Sequence, residues 1–195
     1  MDRIVSRRKK RKHERAVCCQ CKQLEHLCSC CIDRPSGLTI ATRAEIKDVL
    51  ARCRACDGAL SACDIEVLVR AYFSGFMTGD TSLYQLFLSP DFVTRPEFPG
   101  IPRGPEALVI IVQDARAFLP NITFTIEELI ICGNKASTRS TVRGTASDGV
   151  SFVFATGDFF TFKDCQISEN FAFVAELPSS TEVTTARASG RRGRF

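Results

Sequence analysis

The chain predicts an α+β fold, three helices packed on a curved antiparallel sheet, and three observations carry that expectation. Apolar residues recur at three- and four-residue spacing from Ile65 onward, then at two-residue spacing after Pro120. The period-two segments are joined at Gly133-Asn134, Asp148-Gly149 and Asp164-Cys165, connections short enough to make successive strands antiparallel neighbours. The helices precede the strands instead of alternating with them, which excludes a doubly wound parallel sheet.

Residues 1–37 show neither period, and Pro35-Ser36-Gly37 closes them with turn chemistry; they read as a disordered, basic, Cys-rich N-terminal arm. Residues 38–63 read as a helical, Cys-containing linker, begun by the capping-box pair Thr42 and Glu45 and striped by Ile46, Val49 and Leu50. The domain proper is expected over 64–177. Its first helix carries Ile65, Leu68, Val69, Tyr72, Phe73, Phe76 and Met77 and stops at Gly79. Asp80 caps a shorter helix with Leu83, Leu86 and Phe87, and Phe92-Val93-Thr94 reads as a short strand. A Pro/Gly loop leads to a third helix with Pro105 at its first position and Leu108, Ile111, Val112, Ala115 and Phe118 on its buried face. Four strands follow, over 122–132, 135–145, 150–162 and 167–177. Residues 178–195 are rich in Ser, Thr and Arg and read as a disordered tail.

Composition agrees with this division. Of the 15 Phe, 14 fall between Phe73 and Phe173, whereas nine of the 11 Cys fall between Cys18 and Cys63. Net charge is +6 over 1–64, −5 over 65–177 and +3 over 178–195, so the overall +4 describes no single part. No apolar run of signal-peptide length follows the basic N-terminus and none is long enough to span a membrane. The chain is therefore expected to be nuclear or cytoplasmic and not secreted, with its cysteines as thiols or metal ligands instead of a disulfide framework.

At RGPEAL, FLPN, STVRGTASDG and GDFFTFKDCQISENF, the stretch of about 65–177 resembles the SnoaL-like family of the nuclear transport factor 2-like superfamily. The resemblance implies a cone, a strongly bent sheet wrapped around helices with an apolar pocket at one end. It also implies a pocket Asp that acts as general acid/base in the polyketide-cyclase members, beside His residues that place the substrate. The matching carboxylate is Asp158, with Glu169 as the second one carried over. By strand alternation Asp158 shares a face with Phe152, Phe154, Phe160 and Phe162, and these, with Val142 and Ala146, are the expected pocket lining. Burial there should raise its pKa. Two departures weigh against catalysis. Ala146 stands where the family often has His after RGT, and Glu169-Asn170-Phe171 stands for Glu-His-Trp. His13 and His26 are the only imidazoles in the chain. The expected function is thus a non-catalytic domain that binds a small apolar ligand or a protein partner, with a homodimer through the sheet as a further partner. The alternative is a cyclase- or isomerase-like enzyme using Asp158; no organic cofactor is expected in either case.

The arm carries a second set of readings. Cys18, Cys21 and Cys28, then Cys53, Cys56 and Cys63, repeat Cys-x2-Cys-x6-Cys, which resembles the ligand pattern of the fungal binuclear zinc cluster apart from a longer middle spacer. Six thiolates on zinc would supply folding energy that this segment lacks. Cys18, Cys21, Cys28 and Cys31 form a competing single-zinc set, and a redox-reactive or unstructured thiol tail, or S-acylation beside the basic run, remain open. Arg7, Arg8, Lys9, Lys10, Arg11 and Lys12 are six consecutive cations, the composition of a nuclear localisation signal or a phosphate-binding arm for nucleic acid.

Overall fold

The computed structural model describes residues 40–176, and the expectations for the basic run, for Cys18 to Cys31 and for the Arg-rich tail lie outside the described residues. Within them the order is helix α1 (Arg43–Ala55), α2 (Ala62–Thr78), a 3-10 turn with the short α3 (Tyr84–Phe87), and strand β1 (Leu88–Arg95). Helix α4 (Pro105–Phe118) and strands β2 (Thr123–Cys132), β3 (Lys135–Thr145), β4 (Ser151–Lys163) and β5 (Gln166–Glu176) complete it. The fold is α+β. The sheet runs β1-β5-β4-β3-β2; β2 to β5 form the expected antiparallel meander. β1, read from sequence as a short strand, is a parallel edge partner of β5, a pairing that only tertiary structure reveals because the two are separated by α4 and three strands. Among the described residues no helix is long and apolar enough to cross a membrane.

α1 is not a linker. Its capping box forms as expected, with Thr42 and Glu45 each satisfying the other's backbone N–H. Ile46, Val49, Leu50 and Cys53 fall at i, i+3, i+4 and i+7, and all four are buried in the same core as the sheet. Burying the three aliphatic chains is worth about 1.5–3 kcal/mol each, which binds α1 to the domain. Polar ties add to this: Ala41 N donates to Ser74 Oγ at 3.0 Å, and Arg52 pairs with Asp64 at 2.6 Å.

α2 is the central helix. It opens on a second capping box, Ser61 with Asp64, and closes on Gly79 at φ 78°, a left-handed position that favours glycine. Burial nearly all round the helix marks a span enclosed by other elements. Arg116 of α4 donates to the Phe76 and Met77 carbonyls at 2.8 and 2.9 Å, satisfying groups that the helix end leaves unpaired. Tyr72, Phe73 and Phe76 pack edge-on or tilted against Phe160 and Phe124 of the sheet.

The β4–β5 turn contains the main departure from expectation. Asp164 and Cys165 have φ 50° and 67°, the two left-handed positions of a type I′ hairpin, where the second residue is ordinarily glycine. Cys165 instead forms a disulfide with Cys53 of α1, Cα to Cα 5.8 Å, across 112 residues. Cys56 and Cys63 are also disulfide-bonded. The expected zinc set is corrected to that extent: sulfurs of Cys53, Cys56 and Cys63 held in disulfides are not thiolate ligands.

Candidate functional site

Strand alternation sorts β4 into two faces. Phe152, Phe154, Thr156, Asp158, Phe160 and Phe162 turn toward the helices, while Val153 and Phe159 are about half exposed on the other side. Burial deepens along the inner face. Phe152 and Phe154 are half-buried, Thr156 is 8% exposed, Asp158 4% and Phe160 1%. The inner face is least covered at Phe152 and Phe154, where Phe118 of α4 meets Phe152 at 5.2 Å and Val174 of β5 is exposed. Ala146 is half-buried at this end. Val142, Phe160 and Phe162, expected as pocket lining, are instead fully packed members of the core.

Asp158 lies on the inner face among the phenylalanines. Asn170 Nδ2 donates to its Oδ1 at 3.3 Å, and Tyr72 Oη donates to Asn170 Oδ1 at 3.0 Å. Tyr84 Oη in turn donates to the Tyr72 carbonyl at 3.0 Å. This chain fixes which way the Asn170 amide faces, because its oxygen is taken by the tyrosine. Asp158 Oδ2 has no hydrogen-bond partner. Burial pushes the Asp158 pKa up to about 6, opposed by the Asn170 amide and by the nearby Thr156 hydroxyl, which lies close to the carboxyl without making a hydrogen bond of good geometry. Burial, then the nearby Asp158 charge, holds the Tyr72 phenol well above its ordinary value, so it remains a hydrogen-bond donor.

Glu169 does not join this site. It sits opposite Thr161 on β5, one residue before Asn170 opposite the buried Phe160, so period-two alternation turns it to the other face. The position at which the family's imidazole is replaced by Asn170 is the one that touches Asp158. Arg139 and Arg143 also lie outward, Arg139 beside Glu128 at 3.5 Å.

Sequence reasoning missed three members of the inner face. Thr138 and Ser140 on β3 and Thr156 on β4 are each more than nine-tenths buried, and their hydroxyl oxygens have no partner. The signal was present: if Arg139 and Arg143 face solvent, Thr138, Ser140 and Val142 must face the core, and two of those three are polar. Buried hydroxyls without partners are uncommon in a folded core and need an explanation. No group of His, Cys, Asp and Glu suited to a metal ion occurs among the described residues.

The comparisons agree with this geometry. Residues 69–170, just over half of the chain, match the model of the SnoaL-like domain. A candidate polyketide cyclase from Bacillus cereus is 26% identical at TM-score 0.55, over 58% of this chain and 76% of that one. TsrD from Streptomyces laurentii (19%, TM-score 0.54, 59% and 90%) and a SnoaL-like polyketide cyclase from Agrobacterium tumefaciens (15%, TM-score 0.51, 65% and 98%) share the fold. A search of curated proteins finds no match. Together, the cone, the inward aspartate and the family match show that this chain belongs to the SnoaL-like domain family.

Proposed function

We propose that the domain binds a small, mainly apolar molecule inside the cone, entering past Phe152 and Phe154 and anchored at Asp158. The observation that carries this reading is the row of buried oxygens without partners, Thr138, Ser140, Thr156 and Asp158, in an otherwise phenylalanine-lined wall. Such a row costs stability unless something occupies it. The binding is non-catalytic in this reading, because residues 40–176 hold no imidazole to share proton transfer with Asp158. The test is a small-molecule fragment screen read by amide shifts. Hits should perturb residues 138–142 and 154–158, and hits confined to the outer face of the sheet would sink the interior site.

A second reading has its own support. A buried carboxyl that titrates near 6 with one oxygen unengaged can give or take a proton near neutrality. Cyclase or isomerase activity is therefore tested by deuterium exchange alpha to a ketone bound at this site. Exchange lost in Asp158→Asn establishes it, and exchange equal in both proteins removes it.

Three proposals concern other parts of the molecule. A second copy of the chain packs on the outer face of the sheet, as argued below. Arg7 to Lys12 contact nucleic-acid phosphates and direct the chain to the nucleus, a proposal resting on sequence alone. Affinity for duplex DNA should then fall steeply with salt, and an Arg7–Lys12 deletion that leaves the affinity intact refutes it. The Cys53–Cys165 disulfide pulls toward an oxidising compartment, so thiol labelling of protein taken from cells tests the localisation. Zinc at Cys18, Cys21, Cys28 and Cys31 remains a proposal, tested by metal content of the purified chain.

A further inference from the structure

The interior site has more acceptors than donors. Thr138 lies opposite Asp158 and Ser140 opposite Thr156 on adjacent strands, so the facing Cβ atoms are about 5 Å apart and the two pairs about 7 Å apart. Their four oxygens, Thr138 Oγ1, Ser140 Oγ, Thr156 Oγ1 and Asp158 Oδ2, are buried without partners. Apart from Asn170 and Tyr72, the inward neighbours are apolar: Phe154 and Phe160 along β4, Val142 and Ala136 along β3, and Ala172 beside Asp158 on β5. No basic side chain is among the groups that set the Asp158 titration, and residues 40–176 contain no His. A carboxylate in such a wall lacks a counter-charge, and the hydroxyls beside it lack donors.

The geometry points to an organic ammonium ion as the ligand, an amine on an apolar skeleton whose N–H groups are accepted by Asp158 Oδ2 and the Thr138 and Thr156 hydroxyls. This rests on the interior-binding reading above and deepens it. A primary ammonium carries three donors, which matches one carboxylate oxygen flanked by a hydroxyl across the strand and another two residues back. The skeleton then points along β4 toward the half-buried Phe154 and Phe152. A neutral alcohol or ketone satisfies one or two of the oxygens and leaves the carboxylate without a counter-charge, at the cost that burial imposes. Above pH 6 the carboxyl is mostly ionised and able to pair. Of the groups facing it, Tyr72 from α2 stays protonated throughout this range, and Asn170 and Thr138 from the neighbouring strands do not titrate.

The test compares 2-phenylethylammonium with 2-phenylethanol, which differ in the charged head alone, on the full-length chain by calorimetry and amide shifts. The ammonium should bind at least tenfold more tightly at pH 7.5, and its advantage should shrink toward pH 5 as Asp158 takes up a proton. Asp158→Asn should bring the ammonium's affinity down to that of the alcohol. Thr138→Val, nearly isosteric, should cut the advantage several-fold with little change in melting temperature. An alcohol that binds as tightly at pH 7.5, or an advantage that survives Asp158→Asn, overturns the ammonium assignment and leaves the interior site standing. If neither probe at saturating concentration shifts the β3 and β4 amides, both the assignment and the interior site fail.

Discussion

Asp158 is a residue whose burial works against its ionisation, and the sign of the effect can be followed in stability. Its folded pKa, about 6, is above its ordinary value. The folded state therefore holds the proton more tightly than the unfolded chain, and the stability this contributes is fully present below pH 4 and lost as pH rises through 6. The loss amounts to about 3 kcal/mol above pH 7. Asp158→Asn removes the titration while keeping an oxygen for the Asn170 amide. The variant should consequently melt higher than the parent at pH 7.5 and show a much smaller difference at pH 4.5; an offset that does not vary with pH contradicts the buried, titrating carboxyl. Asn170 tests the other half of the network. Asn170→Ala deprives Tyr72 and Asp158 of their shared partner, at a cost of about 1–3 kcal/mol for the groups left unsatisfied. Because the amide donor favours the ionised form, the carboxyl resonance of Asp158, followed by carbon NMR, should then titrate at higher pH than in the parent. A midpoint unchanged or lowered removes Asn170 from the role assigned to it.

The elements show what was legible in the sequence and what was not. α2, α4 and the four-strand meander could be read because amphipathic periods and turn dipeptides are local signals, and the register that turns Asp158 inward follows from alternation alone. The role of α1 could not, since its buried stripe is short and looks the same whether it packs on the domain or links to it. Thr138, Ser140 and Thr156 went unnoticed because hydroxyl residues are ordinary in strands, and only the burial of both neighbours gives them meaning. Cys165 is the clearest case. A cysteine at the left-handed position of a hairpin, where Asp-Gly is usual, pays about 1 kcal/mol in backbone conformation, and its bond to Cys53 explains its presence. Closing a loop of this size typically contributes about 2–4 kcal/mol. Cys165→Gly relieves the backbone cost yet loses the bridge, so it should lower the melting temperature under oxidising conditions and match the parent more nearly after reduction. Equal melting of the two oxidised proteins contradicts a structural disulfide. A fragment starting at Asp64 should likewise be less stable than one starting at Ile40, because it exposes the surface that Ile46, Val49 and Leu50 cover.

At the scale of the whole molecule the sheet has two faces with opposite deficits. The inner one buries oxygens without partners, whereas the outer one exposes rings without cover. Phe159, Phe171 and Phe173 are each about half exposed, with Phe159 centred 6.2 Å from Phe171 and 6.3 Å from Phe173. Gly157 supplies the floor, since a Cβ there would come within 2.2 Å of the Phe173 ring. Beside them lies an open depression of about 220 Å³ lined by Ile130, Ser137, Phe159 and Phe173, with Glu128 and Arg139 at its edge. An aromatic ridge next to an apolar hollow, rimmed by one acid and one base, is self-complementary. A two-fold contact here would cover these exposed rings with a second copy of the same face. The dimer proposed on this face predicts that sedimentation of the parent at roughly 100 μM shows a dimer. Phe159→Glu together with Phe173→Ser should yield monomers that still melt cooperatively, because side chains half exposed in one copy contribute little to its own core. The double variant should also retain the pH-dependent stability of Asp158, which lies on the opposite face of the same strand. A parent that sediments as a monomer, or a double variant that remains dimeric, removes the outer face as the interface.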